Sequence, residues 1–135
     1  MTQWVVTKLG VEVPMHFTAF FPSWKMMDRP ATPVATLQRA RRIARKNGVR
    51  YAFTGNVHDL EGDSTYCHAC GEALIQRDWF TLTAWNLDEY GRCRACGTAC
   101  AGVFEARPGS WGAKRQPISM AVAGDLRGSG PNGHA

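Results

Sequence analysis

Residues 67–97 read CHACGEALIQRDWFTLTAWNLDEYGRCRACG, and two short turns within that stretch decide how the chain folds. Cys67-His-Ala-Cys70-Gly71 and Cys93-Arg-Ala-Cys96-Gly97 are CxxCG knuckles with 22 residues between them. A CxxC turn aims two thiolates at one point, and the following glycine lets backbone amides approach the sulfurs. The runs at 73–76 and 81–87 are strand-like, so a hairpin between the knuckles accounts for a separation longer than usual. Brought together, the two turns predict a tetrahedral Cys67, Cys70, Cys93, Cys96 cage of the zinc-ribbon type. Such a site has every position filled, so its expected role is structural: it contributes folding energy.

Other cysteine chemistries fit less well. A redox CxxC occurs singly at a strand–helix junction, and haem attachment needs a His where Gly71 and Gly97 stand. Cys96 and Cys100 add a CxxxC, which keeps an iron–sulfur site open at this point, so spacing does not decide zinc against iron. Cys100 reads as a bystander thiol and His68 as an exposed residue within its knuckle.

All five cysteines fall between residues 67 and 100. No basic stretch followed by an apolar run opens the chain, so the expected compartment is the cytoplasm, where clustered cysteines mean metal before disulfide. No apolar run approaches the roughly 20 residues of a membrane span. Leu, Ile, Val and Phe make up about a fifth of the 135 residues, thin for a self-sufficient core, which strengthens the case for a structural metal.

Upstream, the pattern is α/β. Residues 3–9 (QWVVTKL) read as the end of an amphipathic helix with Gly10 just past it. Residues 13–21 (VPMHFTAFF) read as a strand buried on both faces. After a Pro-punctuated loop, Thr32 and Pro33 open a helix to Asn47 as N-cap and first helical residue, with Val34, Leu37, Ala40, Ile43 and Ala44 on its apolar face. Residues 49–54 form the next strand. Strand, helix and strand at this spacing make a βαβ unit with parallel strands. Two such strands do not make a sheet alone, so residues 1–57 are expected to be the tail end of a larger α/β structure. The expected order is then a zinc-ribbon-like module at 58–104, an extension at 105–119 and a disordered tail at 120–135.

The net charge is +5, and much of it sits at 39–46 (RARRIARK). Arg39, Arg41, Arg42, Arg45 and Lys46 are expected on the solvated outer face of the helix, with a phosphate-binding stripe as the sharper alternative. Asp59, Glu61 and Asp63 alternate as in a calcium loop, but Ser64 stands where that loop needs glycine, so a solvated loop is expected. His16, Lys25 and Asn56 lie in or just after the predicted strands, where parallel α/β folds carry their sites.

Three strings then stand out: HFTAFFPSWKMMDRPATP (16–33), YAFTGNVHDLEGDSTYCHACG (51–71) and WNLDEYGRCRACGTACAGVF (85–104). Together with the WGAKRQP segment, they resemble the C-terminal half of the AmmeMemoRadiSam-system radical SAM enzymes, which are similar to pyruvate formate-lyase activating enzymes. The resemblance runs from Trp4 to Ile118. It implies a partial (β/α) barrel whose N-terminal part carries CxxxCxxC, a [4Fe–4S] cluster and S-adenosylmethionine, and which forms a 5′-deoxyadenosyl radical. This sequence has no CxxxCxxC; Cys93, Cys96 and Cys100 run as CxxCxxxC instead. The implied function is therefore a C-terminal portion that is inactive alone, with a separate N-terminal half as partner and no complete active site in this chain. His16, Lys25 and Asn56 would face the cofactor or substrate side of the barrel mouth. Phe21 stands where family members often have His, so a polar contact is missing there. The competing reading is a free-standing zinc-ribbon module that binds nucleic acid or protein. Neither reading names a substrate, and no membrane partner is expected.

Overall fold

The computed structural model describes residues 1–109 together with Gly112 and Lys114. The tail expected at 120–135 and most of the extension lie outside the described residues. The chain is a mixed helix and sheet structure in two sheets. The first is a parallel pair, β1 (Met15–Thr18) and β2 (Ala52–Gly55), in register from Met15 opposite Ala52 to Thr18 opposite Gly55. The second is antiparallel, β3 (Thr65–Tyr66), β4 (Ala73–Asp78) and β5 (Thr81–Trp85), in the order β3-β4-β5. Helix α1 (Thr2–Lys8) precedes the parallel pair, α2 (Val34–Lys46) crosses between its strands, and α3 (Leu60–Asp63) joins the two sheets.

The local signals act as physics requires, with shifts of a residue or two. Gly10 takes φ 106° just beyond α1, and its N–H closes the helix end onto Val5 O at 3.1 Å. Helix α2 begins at Val34 with Pro33 as its cap, not with Thr32, because Thr32 Oγ1 instead accepts the Phe20 N–H at 3.1 Å and fixes the loop after β1. The segment expected at 13–21 forms a strand only at Met15–Thr18, and it is not buried on both faces. Met15, Phe17 and Ala52 pack beneath α2 with Ala44 and Val49, while His16 and Thr18 stand exposed on the opposite face. No closed barrel forms among the described residues; the parallel sheet has two strands.

Arg41 corrects the reading of the basic run. It is buried (5% exposed), not solvated, and belongs to the face of α2 that holds Leu37 and Ala44 against the sheet. Its Nε donates to Ala52 O at 2.9 Å and its Nη1 to Glu61 Oε1 at 2.8 Å. Val34 and Ile43, expected inside, are exposed instead. Helical spacing sets position 41 beside Leu37 and Ala44, and its bonds to Ala52 O and Glu61 satisfy the guanidinium there. Arg41→Met keeps the aliphatic packing and deletes both bonds. It is expected to cost about 2 kcal/mol, seen as a lower denaturant midpoint at unchanged slope, whereas Arg42→Met at an exposed position stays within about 0.5 kcal/mol.

The acidic segment is solvated only in part: Glu61 is exposed as expected and Asp63 half-buried, but Asp59 is not solvated. Asp59 is buried and accepts from Thr54 Oγ1 at 3.1 Å, and Glu61 is the partner of Arg41. Helix α3 lies so close to β2 that a Cβ on Gly62 would collide with Thr54 Oγ1 and the Asp59 carboxylate. The main core is built around the antiparallel sheet, where Tyr51, Cys67, Leu74, Ile75, Leu87, Cys93 and Cys100 are buried together.

Candidate metal centre

The two knuckles are built alike. Gly71 and Gly97 adopt φ 79° and 74°, and their N–H groups donate to Cys67 O and Cys93 O at 2.9 and 2.7 Å. Each first cysteine is also tied across its own turn, Cys67 N to Glu72 O at 2.8 Å and Cys93 N to Thr98 O at 2.9 Å. A residue with a Cβ disfavours the left-handed backbone that closes these turns, which is why glycine follows each CxxC. The β4–β5 hairpin then carries the second knuckle back beside the first. Asn86 N–H donates to Leu74 O at 2.7 Å, and an isolated bridge pairs Leu87 with Cys93.

Cys67, Cys70, Cys93 and Cys96 converge, with their four Sγ atoms all within 4.8 Å of one another. Cys67 Sγ lies 3.6 Å from Cys96 Sγ, and Cys70 Sγ lies 3.7 Å from Cys93 Sγ. Metal–sulfur bonds of about 2.3 Å place tetrahedral ligands ~3.8 Å apart, so the spacing suits one ion. A multinuclear cluster would hold its thiolates wider, because several irons and sulfides must stand between them. The first cysteine of each knuckle is buried and the second exposed, so the site sits at the edge of the core with one side open to solvent. Cys96 Sγ lies 3.3 Å from Thr98 Oγ1, and the Thr98 hydroxyl and amide pull its thiol down to about 6. This four-cysteine group could hold a metal ion.

Cys100 is not part of the group. It is buried beside Tyr51, whose hydroxyl lies 3.6 Å from its Sγ and accepts the Ala101 N–H at 2.9 Å. Burial first, and then the hydrogen bond to Cys100, pushes the Tyr51 phenol up to about 12, so it stays protonated. Tyr51 thereby fastens the exit of the second knuckle to the start of β2, a tie that no sequence motif announces. His68 is exposed and outside the group.

The other predicted site residues do not assemble. His16 lines a cleft of about 530 Å³ between the open face of β1–β2 and the turn of the β4–β5 hairpin. Lys25 lies on the exposed loop before α2, with its Nζ 4.4 Å above the Trp24 ring. Asn56 is exposed in a left-handed turn at φ 58°. Neither lines that cleft. Beside His16 the cleft is lined by Phe53, Thr54 and Val57 of the βαβ segment and by Asp63, Arg77, Trp79 and Phe80 of the segment read as metal ribbon alone.

The chain is 46% identical over 91 residues to uncharacterized protein MJ0808 of Methanocaldococcus jannaschii. The matched segment is 67% of this chain and 27% of that protein, so the chain spans about a quarter of this relative's length. No family model matches the chain, and no solved structure matches it.

Proposed function

We propose that the chain is the C-terminal portion of a radical SAM enzyme of the glycyl-radical-activase type, held together by a structural zinc site and inactive alone. The observation that carries the metal part is the convergence of four thiols at separations suited to one tetrahedral ion. All four positions go to protein, which leaves no open position for chemistry and assigns the ion to folding. The parallel β1–β2 pair supports the barrel part. Its outer face is covered by α2, and its other face, with His16 and Phe53, borders an open cleft, as strands lining a barrel interior would. A relative in which the matched segment is about a quarter of the protein is in keeping with a piece of a larger enzyme. Cytoplasmic location and a separate N-terminal half carrying the cluster and S-adenosylmethionine belong to the same reading. Among the described residues no helix is long and apolar enough to cross a membrane.

The test is metal analysis with a visible spectrum on anaerobically purified chain. One zinc per chain, no visible band and no cleavage of S-adenosylmethionine are expected. Iron with sulfide and a broad visible band would overturn both the zinc assignment and the inactivity of the chain.

A further inference from the structure

The cleft beside His16 is lined by two opposite charges with hydrogen-bonding capacity left over on the side that reaches solvent. Arg77 and Asp63 are neighbours, both partly buried and both lining it, yet they form no ion pair within 4 Å. Arg77 Nη1 is spent on the Asp63 backbone carbonyl and on Thr65 Oγ1, each at 3.0 Å. Its Nε and Nη2 have no hydrogen-bond acceptor among the described residues, and the Asp63 carboxylate has no donor. Burial, and after it the neighbouring Asp59 carboxylate, raises the Asp63 carboxyl, and burial lowers the Arg77 guanidinium, while the opposite charges of the two groups partly offset both shifts.

The surroundings are aromatic. Phe53 lies beneath the His16 ring at 5.0 Å and 6.0 Å from the Arg77 guanidinium. Opposite stands the hairpin tip, Trp79 and Phe80, which are 53% and 67% exposed. A tight turn at Asp78–Thr81 favours Asn-Gly or Asp-Gly, but here two large aromatics occupy it and Trp79 takes φ 52°. A non-glycine residue in that region is a strained choice. The Trp79 indole N–H is steadied by His58 Nδ1 at 3.2 Å. The ladder also shifts register between Gln76 and Arg77, a device that redirects side chains beside binding sites.

We propose that this cleft binds an aromatic α-amino acid or an equivalent small zwitterion. The carboxylate would sit on the free edge of the Arg77 guanidinium and the ammonium on Asp63, with the ring between Phe53, Trp79 and Phe80. A guanidinium matches a carboxylate in two parallel hydrogen bonds, and an ammonium supplies the donor that Asp63 lacks. The volume lies within the usual range for a small-ligand site. The inference stands on the cleft alone and does not require the radical SAM reading.

The experiment is an NMR titration of the metal-loaded chain with L-phenylalanine, followed at the Trp79 indole and the Arg77 side-chain signals. Phenylalaninamide and N-acetylphenylalanine serve as comparison ligands lacking the carboxylate and the ammonium. Each is expected to bind about tenfold or more weakly than phenylalanine, the cost of one charge-assisted hydrogen-bonding partner. Arg77→Gln should erase the preference over phenylalaninamide, and Asp63→Asn the preference over N-acetylphenylalanine. Trp79→Ala, at an exposed tip, should weaken all three without unfolding the chain. Equal binding of the three ligands by the unaltered chain, or no shift at the cleft, overturns the proposal. So does a folded Asp63→Asn chain that keeps its preference.

Discussion

Stripping the metal, by chelation or by Cys93→Ser, is expected to abolish the cooperative melting of this chain. The reason is where the ligands lie. Cys67 and Cys93 are 2% and 1% exposed and are members of the main hydrophobic cluster, not appendages to it. Without an ion, four thiols that approach within 4.8 Å would have to be held together by packing alone. A structural zinc site contributes about 10–16 kcal/mol of apparent free energy, as much as the whole net stability of a typical domain, about 5–15 kcal/mol. The loss should reach β2 as well, because Tyr51 packs in the same cluster and its hydroxyl holds Ala101. Ligation requires thiolates, so protons compete with the metal and acidification acts in the same direction as chelator. Cys100→Ser is the control. It removes a buried thiol that lies outside the group, and it should keep one ion per chain with only a modest drop in melting temperature. Circular dichroism melts with and without chelator, paired with metal stoichiometry, read the result. A metal-free chain that melts at the same temperature would remove the structural role.

The four-cysteine group was legible in the sequence because its signal is local: two turns of five residues fix which thiols converge and how. The parallel βαβ unit was legible for a similar reason, since Pro33 and Gly48 punctuate α2 and apolar runs flank it. What escaped depends on contacts between distant segments. Arg41 reads as surface by charge, and only its reach to Ala52 O and Glu61 places it inside. Asp59 reads as a loop residue until Thr54, five positions earlier, supplies its donor. Burial of β1 on both faces was expected from an apolar run, but apolar character says nothing about what stands opposite, and His16 remains exposed. Of the cleft, the sequence singled out His16 but not its partners, because Arg77 and Trp79 carry no motif and act only where the hairpin lies across β1–β2. For those partners the available hint was an aromatic pair at a turn where glycine is usual.

Leu87→Ala is expected to lower stability by about 2–5 kcal/mol and to weaken metal binding at the same time. Leu87 is fully buried, between the hairpin and the second knuckle. Its backbone carbonyl accepts Arg94 Nε at 2.9 Å, a bond that the substitution leaves in place. The change therefore removes side-chain packing and nothing else near the thiols. If ligation and folding are one equilibrium, every kcal/mol lost from the apo fold is subtracted from the apparent metal affinity. A loss of 3 kcal/mol then appears as about a hundredfold weaker binding in a competition titration against a chromophoric chelator. Leu82→Ala separates this linkage from a general effect of losing a leucine, because Leu82 is 37% exposed on β5 and should change either quantity by little, about 0.5 kcal/mol. The informative comparison is between the two readouts. Stability that falls while metal affinity stays fixed would mean that the knuckles hold their ion as a preformed cage, independent of the hairpin core. Parallel losses would mean that the core and the ion each complete the other, as expected for a chain in which Leu, Ile, Val and Phe together are about a fifth of the residues.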